Sequence, residues 1–294
     1  MSGNFVLVAS YPKSGNTWTR IIFEKLRRGA GKAFSINDLD ASYHGISRRF
    51  AFDSCVPVNA ADLLTEEFEN FLPDVYRQLA AKIDGKVFLK AHDVAKRNGQ
   101  GEWLYPPGCT HSVIYLVRHP YDVAVSTAHH LSVSVERAVD IMGDDGRSRP
   151  PCRNLLESLP QTFGSWSGNV VSWLDNASYR ITCARYEDLH ADPVGGFLRL
   201  AQAAGLDVST EQVTQAVESA RFSDLQREEE EAGFRERPES SPKFFRAGHP
   251  RTWEQSLDIA LRDRLVRAHG VAMERLGYGA DGSVASFANS QPGA

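Results

Sequence analysis

The chain has 294 residues, 42% of them apolar, enough for a sizeable core in one large α/β domain or two small ones. Its net charge of −4 and isoelectric point near 6.2 speak against a general nucleic-acid-binding role. No apolar stretch approaches the roughly 20 residues that span a bilayer, and no basic-then-apolar leader opens the sequence, so a soluble cytoplasmic protein without a membrane partner is expected. Cys55, Cys109, Cys152 and Cys183 stand far apart and form no C-x-x-C pair. They read as reduced, packed thiols, and zinc is not expected.

The first apolar run, Phe5–Ala9, reads as a buried strand. It empties into Tyr11-Pro-Lys-Ser-Gly-Asn-Thr-Trp18, and helical periodicity then runs from Trp18 to Leu26, with Gly29 and Gly31 as stop signals. A strand turning tightly into a helix aims backbone N–H groups and the positive end of the helix dipole at one spot, which suits a phosphate-like anion. Lys13 adds an ammonium; Ser14 and Thr17 add hydroxyl donors. The common nucleotide loop Gly-x-x-x-x-Gly-Lys-Ser/Thr is absent, because Gly3 is the only glycine before Lys13. A tight turn with a polar helix cap is the plainer reading.

Further strand-like runs fall at Val87–Lys90, Ser112–Val117 and Arg180–Cys183, with helical segments between them. Near-continuous apolar strands alternating with helices imply an α/β, three-layer fold whose central, mostly parallel sheet is flanked by helices. Ligands in such sheets sit beyond the carboxyl ends of the strands, and the polar motifs of this chain stand at such ends. Lys90 and His92 end the second run two residues apart, which in an extended chain turns both to one side. A histidine there suits a general base, although a strand-end histidine bonded to a backbone carbonyl is the commoner fate. The third run ends in Arg118-His-Pro-Tyr-Asp-Val-Ala-Val-Ser126, with Pro120 opening a helix that reaches His130. Arg118 and Ser126 can address one anion, or Arg118 can pair with Asp122. His129 and His130 are expected to pack or cap their helix.

Two stretches look irregular, Gly143–Pro160 and Glu228–Pro242. The second opens with four consecutive glutamates and reads either as a lid that orders on binding or as a solvated loop. Leu257–Leu276 is a long amphipathic helix, and Gly279–Ala294 reads as a disordered tail.

Taken in order, these segments resemble the cytosolic-type sulfotransferase family. Its Tyr-Pro-Lys-Ser-Gly-Thr-Thr-Trp loop matches Tyr11–Trp18 with Asn16 as the one change, and its Lys-x-His element matches Lys90–His92. Its Arg-x-Pro-x-Asp-x-x-x-Ser segment matches Arg118–Ser126, and a Tyr-Glu-Asp-Leu element appears at Tyr186–Leu189. The late Arg-Lys-Gly-x-x-Gly-x-Trp motif is echoed by Arg246–Trp253. The pattern at Gly164–Trp173 is similar to the bacterial branch that sulfates secondary metabolites such as glycopeptide antibiotics. The resemblance implies one sulfotransferase domain over 1–279, with 280–294 as the tail, and a P-loop-like phosphate-binding loop.

It also implies the donor 3′-phosphoadenosine-5′-phosphosulfate, with adenosine 3′,5′-bisphosphate as product and no metal. Lys13, Ser14, Gly15, Asn16 and Thr17 would hold the 5′-phosphosulfate, and Trp18 would stack on adenine. Arg118, Ser126, Arg246 and Gly248 would grip the 3′-phosphate, and Tyr186 and Phe222 would line the base pocket. Ala247 stands in place of the family's lysine and leaves only its backbone N–H. Ala220-Arg-Phe222 replaces Thr-Ser-Phe, so only the aromatic carries over. The family's dimer motif is not recognisable in Leu257–Leu265, which leaves the oligomeric state open. In the implied chemistry His92 is the base, Lys13 and Lys90 neutralise charge, and Ser126 steers Lys13. The acceptor would be a small hydroxylated molecule, walled by Ala41–Val58, Gly99–Pro107 and Val133–Pro160. Phe50, Phe52, Trp103 and Tyr105 within these walls hint at an aromatic or amphipathic one. Rival readings are a magnesium-dependent small-molecule kinase and a catalytically inactive nucleotide-binding protein.

Overall fold

Phe5–Ser10, all six residues buried, form β1, the strand around which the sheet is built. The structure is a computed structural model and describes residues 3–29, 34–39, 49–149, 159–238 and 241–286. β1 pairs in parallel with β2 (Val87–Ala91) on one side and with β3 (Thr110–Val117) on the other. A two-stranded antiparallel ribbon, β4 (Ser148–Arg149) with β5 (Gln161–Thr162), stands apart from this sheet. The outer strand β6 (Ile181–Arg185) pairs in parallel with β3, giving the order β2-β1-β3-β6.

The helices are α1 (Asn16–Arg28), α2 (Arg49–Asp53), α3 (Thr65–Ala80), α4 (Pro120–Leu131), α5 (Val135–Met142), α6 (Trp166–Leu174), α7 (Tyr186–Ala191), α8 (Pro193–Ala203), α9 (Thr210–Glu218), α10 (Phe222–Ala232) and α11 (Ile259–Arg275). Alternate residues of β1 feed two cores, as the period of two requires. Phe5, Leu7 and Ala9 join Tyr115, Trp166, Trp173 and Leu265 in one core. Val6 and Val8 join Ile22, Phe23, Phe197 and Leu200 in the other. The sheet is thus covered on both faces, which is why its strands read as continuous apolar runs.

Two expectations are corrected. Residues 228–232 of the glutamate run continue α10 rather than forming a loop. Glu229 is buried there and accepts from the backbone N–H groups of Phe244 and Phe245, so this charge is a structural anchor. Residues 279–286 are no free tail either. Tyr121 donates its hydroxyl to Ala280 O, Ala285 N–H bonds Gly277 O, and Arg185 reaches Ala285 O. Residues 287–294 lie outside the described residues, as do 150–158 and Cys152.

Asp122 ties the last segment of the site to the sheet. Its carboxylate is buried and accepts from Arg251 N–H, Thr252 N–H and the Thr252 hydroxyl, each at 2.7–2.8 Å. These bonds leave it 3.8 Å from Arg118 and hold the chain just after Arg246–Gly248. Asp122→Ala strands two backbone donors, and we expect a loss of about 3 kcal/mol in urea unfolding, since charged hydrogen bonds contribute about 1.5–3 kcal/mol each. Asp122→Asn should recover part of it.

Candidate functional site

The carboxyl ends of β1, β2 and β3 open onto a cavity of about 1040 Å³. The loop from β1 to α1 forms its floor. Lys13 has φ 74° and Gly15 φ 95°, a left-handed geometry that side chains resist and functional loops retain. Gly15 has a second reason to be glycine, because a Cβ there would lie 2.7 Å from the Tyr186 ring. Gly15 is also the N-cap of α1, with no side chain capping the helix and no acidic residue in its first turn. The first N–H groups and the dipole are therefore open to an anion.

The loop residues divide by role. Lys13, Gly15, Asn16, Thr17 and Trp18 line the cavity. Ser14 does not: it is buried, and its hydroxyl has no hydrogen-bond partner among the described residues. The Asn16 side chain is likewise turned away from a ligand role. It donates to Val8 O and Ser10 Oγ and accepts from Arg20 Nε, so it latches α1 to β1. Trp18 packs edge-on against Tyr186 and Phe197 and donates its ring N–H to Ala220 O.

Lys13 Nζ lies 3.3 Å from His130 Nδ1 and 4.5 Å above the Phe244 ring. Burial, then the neighbouring Lys90 and Arg118 cations, bring its ammonium down to about 7. His130 faces the cavity rather than packing or capping, and burial with Lys13 and Lys90 nearby lowers it to about 3. Ser126, one turn earlier on α4, opens onto the same space.

At the end of β2, Lys90 and His92 both reach the cavity, as their spacing predicts. His92 Nδ1 is 2.8 Å from Ser10 O. A carbonyl only accepts, so Nδ1 carries the hydrogen and Nε2 keeps its lone pair. Burial first, then the Lys90 charge, hold the imidazole well below its usual range and therefore neutral. Its backbone is fixed from behind. The fully buried Asn169 donates to His92 O and Phe163 O and accepts from Tyr115, while Trp173 donates to Asp93 O. The Gly164–Trp173 segment thus serves to hold the histidine.

A second cationic pole stands past β3. Arg118 lies 4.4 Å over the Tyr186 ring and donates to His249 O, while its buried Nε has no partner among the described residues. Arg246, Ala247 and Gly248 line the wall beside it, and Tyr186 donates its hydroxyl to Gly248 O. Gly248 has φ 69°, and a Cβ there would meet the Phe222 ring at 2.2 Å, so Phe222 packs directly on this backbone.

Glu236 escaped the sequence reading, and Arg147 and Arg149 were covered only as unnamed members of the expected Val133–Pro160 wall. Glu236 inserts a carboxylate among the loop donors: Arg20 holds both its oxygens at 2.7 Å, Lys90 lies at 3.3 Å and the Thr17 hydroxyl at 3.4 Å. Arg147 and Arg149, from the β4 ribbon, also line the cavity. Of the expected acceptor walls, Val133–Pro160 reaches the cavity through residues 147–149, and the named aromatics of the other two do not. Phe52 and Tyr105 are core residues, Trp103 packs on Tyr179, Phe50 is exposed, and none of the four borders the cavity. Residues 41–48 of the first wall lie outside the described residues. Among the described residues no group of three or more His, Cys, Asp and Glu is placed to hold a metal ion, and no helix is long and apolar enough to cross a membrane.

Arg20 is fully buried, so Glu236→Ala removes the counter-charge of an ion that cannot reach water. We expect it to cost about 3 kcal/mol in chemical unfolding, because breaking a buried pair from one side is the costly case. Added inorganic sulfate should restore more stability to this variant than to the parent, by refilling the vacated anion seat.

The sulfotransferase domain family model matches residues 4–277. Luciferin sulfotransferase of Photinus pyralis is 24% identical over 227 residues, covering 75% of this chain and 56% of that protein. Sulfotransferase 2B1 of Homo sapiens is 27% identical over 226 residues, covering 74% and 51%. The chain therefore spans about half the length of the curated relatives it matches. Among solved structures, retinol dehydratase in complex with androsterone and the inactive cofactor PAP superposes with a TM-score of 0.58 at 19% identity, over 93% of this chain and 82% of that one. That likeness speaks for the fold, and the profile match over nearly the whole chain places this protein in the sulfotransferase domain family.

Proposed function

We propose that the protein transfers the sulfuryl group of 3′-phosphoadenosine-5′-phosphosulfate to a hydroxyl of a small-molecule acceptor. One observation carries this reading. Two cationic poles, Lys13 with the open N-terminus of α1 and Arg118 with Arg246, face one cavity, and the aromatic rings of Trp18, Tyr186 and Phe222 border it. A nucleotide with phosphate at both ends of its ribose fits that spacing of functions. Arg118 Nε, which has no partner among the described residues, can donate to an acceptor of this kind.

The donor supplies the activated sulfuryl group. Lys13, Thr17 and the N–H groups of the loop would hold its 5′ end, and Arg118, Ser126, Arg246 and the backbone of Ala247 and Gly248 its 3′-phosphate. Ser14 and the side chain of Asn16 would shape the loop rather than touch the ligand. By analogy with phosphoryl transfer, positioning and charge neutralisation dominate the rate. His92 Nε2, neutral and unprotonated, would accept the acceptor's hydroxyl proton as oxygen attacks sulfur. Lys90 would neutralise the sulfuryl oxygens and Lys13 the oxygen that leaves with the nucleotide. The same cations that hold His92 neutral would be matched by the anionic donor, so donor binding raises the basicity of the imidazole just before it is used.

His92→Ala should lower turnover by about 10²-fold or more while keeping donor binding; near-normal turnover would remove His92 from the role. In thermal shift, adenosine 3′,5′-bisphosphate should stabilise the protein and ATP with magnesium should not. The opposite order would favour a kinase, and a bisphosphate shift without transfer to any acceptor a binding protein.

Lys13 adds a pH dependence. Free, it sits at about 7; beside a bound phosphate it rises, so binding takes up a proton wherever the free amine is neutral. Bisphosphate affinity should therefore fall as pH climbs above about 7, by up to about tenfold per unit. Calorimetry at pH 8 in buffers of different ionisation enthalpy should register net proton uptake, and Lys13→Arg should lose it.

A further inference from the structure

His92 and His130 line the cavity from opposite flanks of β1, the first just past β2 and the second in the last turn of α4, which follows β3. The reaction proposed above uses His92 alone. His130 nevertheless has a built place. Its Nδ1 lies 3.3 Å from Lys13 Nζ, and its ring meets Phe244 edge-on at 6.2 Å. The Lys13 ammonium rests 4.5 Å above that same Phe244 ring. Among the described residues, the bond to His130 is the one hydrogen bond that Lys13 Nζ makes. Ser126, the residue expected to steer Lys13, stands one turn earlier on α4 and makes none with it among the described residues.

The partners fix the tautomers. An ammonium has three N–H donors and no lone pair, so Nδ1 of His130 accepts and the ring hydrogen sits on Nε2. His92 is the reverse, since its Nδ1–H donates to Ser10 O. One ring therefore offers the cavity a lone pair, and the other gives its lone pair to Lys13. Burial, with the cations of Lys13, Lys90, Arg149 and Arg147 around it, keeps His130 neutral, at about 3. The other charges acting on Lys13 are Lys90, Arg118, Glu236 and Arg246, and of these Glu236 alone favours the ammonium. A lysine by itself is a point charge whose donors rotate about the last bond of the stem. One N–H held by His130 stops that rotation and sets the directions of the other two. The Phe244 face and the left-handed backbone at Lys13, φ 74°, limit where Nζ can travel.

We propose that His130 is a positioning residue for Lys13: it takes one N–H of the ammonium and aims the other two at the oxygen that links phosphorus to sulfur in the donor. This rests on the sulfotransferase reading above. In that reaction the bond from sulfur to the bridging oxygen breaks, and its electron pair stays on that oxygen. A bond from sulfur to the acceptor oxygen forms, and the acceptor proton passes to His92 Nε2. Lys13 meets the growing charge through hydrogen bonds and keeps its protons. His130, with its lone pair engaged, takes no proton, so the two histidines are not interchangeable.

The test follows Lys13 through the binding of adenosine 3′,5′-bisphosphate, measured by calorimetry on both sides of the pH of about 7 at which the free amine changes charge. In the parent, affinity should fall above that point. The bond to His130 favours the ammonium, so losing it lowers the pH at which the fall begins. His130→Phe keeps a ring against Phe244 and removes the acceptor. It should move the fall down by about half a unit or more, which at pH 8 is binding weaker by about threefold. His130→Asn, whose side-chain oxygen can stand where Nδ1 stands, should bring the fall back toward the parent's pH. His130→Gln reaches the place of Nε2 instead and should not. Nitrogen-15 spectra of the histidine rings report the tautomer directly, with the signals of residue 130 identified by their loss in whichever of these variants folds. At a pH where Lys13 is an ammonium they should show a neutral ring with its hydrogen on Nε2. A hydrogen on Nδ1, a fall that stays in place in His130→Phe, or an equal loss of affinity at every pH would overturn the proposal. No bisphosphate binding by the parent sinks the sulfotransferase reading, whereas binding with an unmoved fall sinks this inference alone.

Discussion

Like charges crowded into one mouth repel one another, and the rest of the architecture exists to hold them there. Lys13, Lys90, Arg118 and Arg246 each come from a different segment, and none could be gathered by local sequence. The parallel sheet does it, because β1, β2 and β3 end at one level and each turns into a loop there. Buried anchors then fix the later pieces: Asp122 the chain beyond Gly248, Glu229 the turn at Phe244 and Phe245, and Asn169 the backbone of His92. Each is a polar group whose bonds are nearly all spent on backbone. Such groups cost stability when unpaired and specify position when satisfied.

The repulsion shows in the protonation states. Lys13 is lowered by burial together with Lys90 and Arg118, and His92 and His130 are lowered by burial together with Lys90 or Lys13. A polyanion entering this mouth reverses the electrostatic part of all three shifts at once. Glu236 already does so on a small scale, bridging Arg20, Lys90 and Thr17 with a single carboxylate. The protein thus carries an internal anion where loop donors converge, and an incoming ligand must share those donors or displace it.

The sheet and the phosphate loop were legible in the sequence because their signals are local. A fully buried parallel strand is an apolar run, and an anion-binding turn needs Lys, Gly and a helix start within a few residues. Lys90, His92 and Arg118 were legible for the same reason, each standing where a strand ends, whereas Tyr186 came only from the family resemblance. What escaped has a long-range cause. Asn16 looks like a ligand donor until Val8, Ser10 and Arg20 are seen to use its amide. Glu236 looks like one more acidic surface residue, and only the fold brings it to Arg20, 216 positions away. Arg147 and Arg149 fall in the stretch Val133–Pro160 expected to wall the acceptor, but nothing local singles out these two within it. Phe52 and Tyr105 carry no periodic signal that tells core from pocket, and the core took them.

Strand order also gives the chemistry a direction. With β1 central, the loop proposed to hold the 5′ end of the donor lies between the β3 flank, where Arg118 and Tyr186 stand, and the β2 flank, where His92 stands. A group held above the β1 loop is then approached from the β2 side and departs toward the β3 side. In-line displacement needs that opposition of entering and leaving atoms. A mixed order with β2 and β3 adjacent would put base and nucleotide on the same side of the reacting centre, and the same residues could not serve. The proposed function is therefore written as much in the strand order as in the motifs, since the connections that place β2 and β3 on either side of β1 would also decide which side of the donor each motif meets.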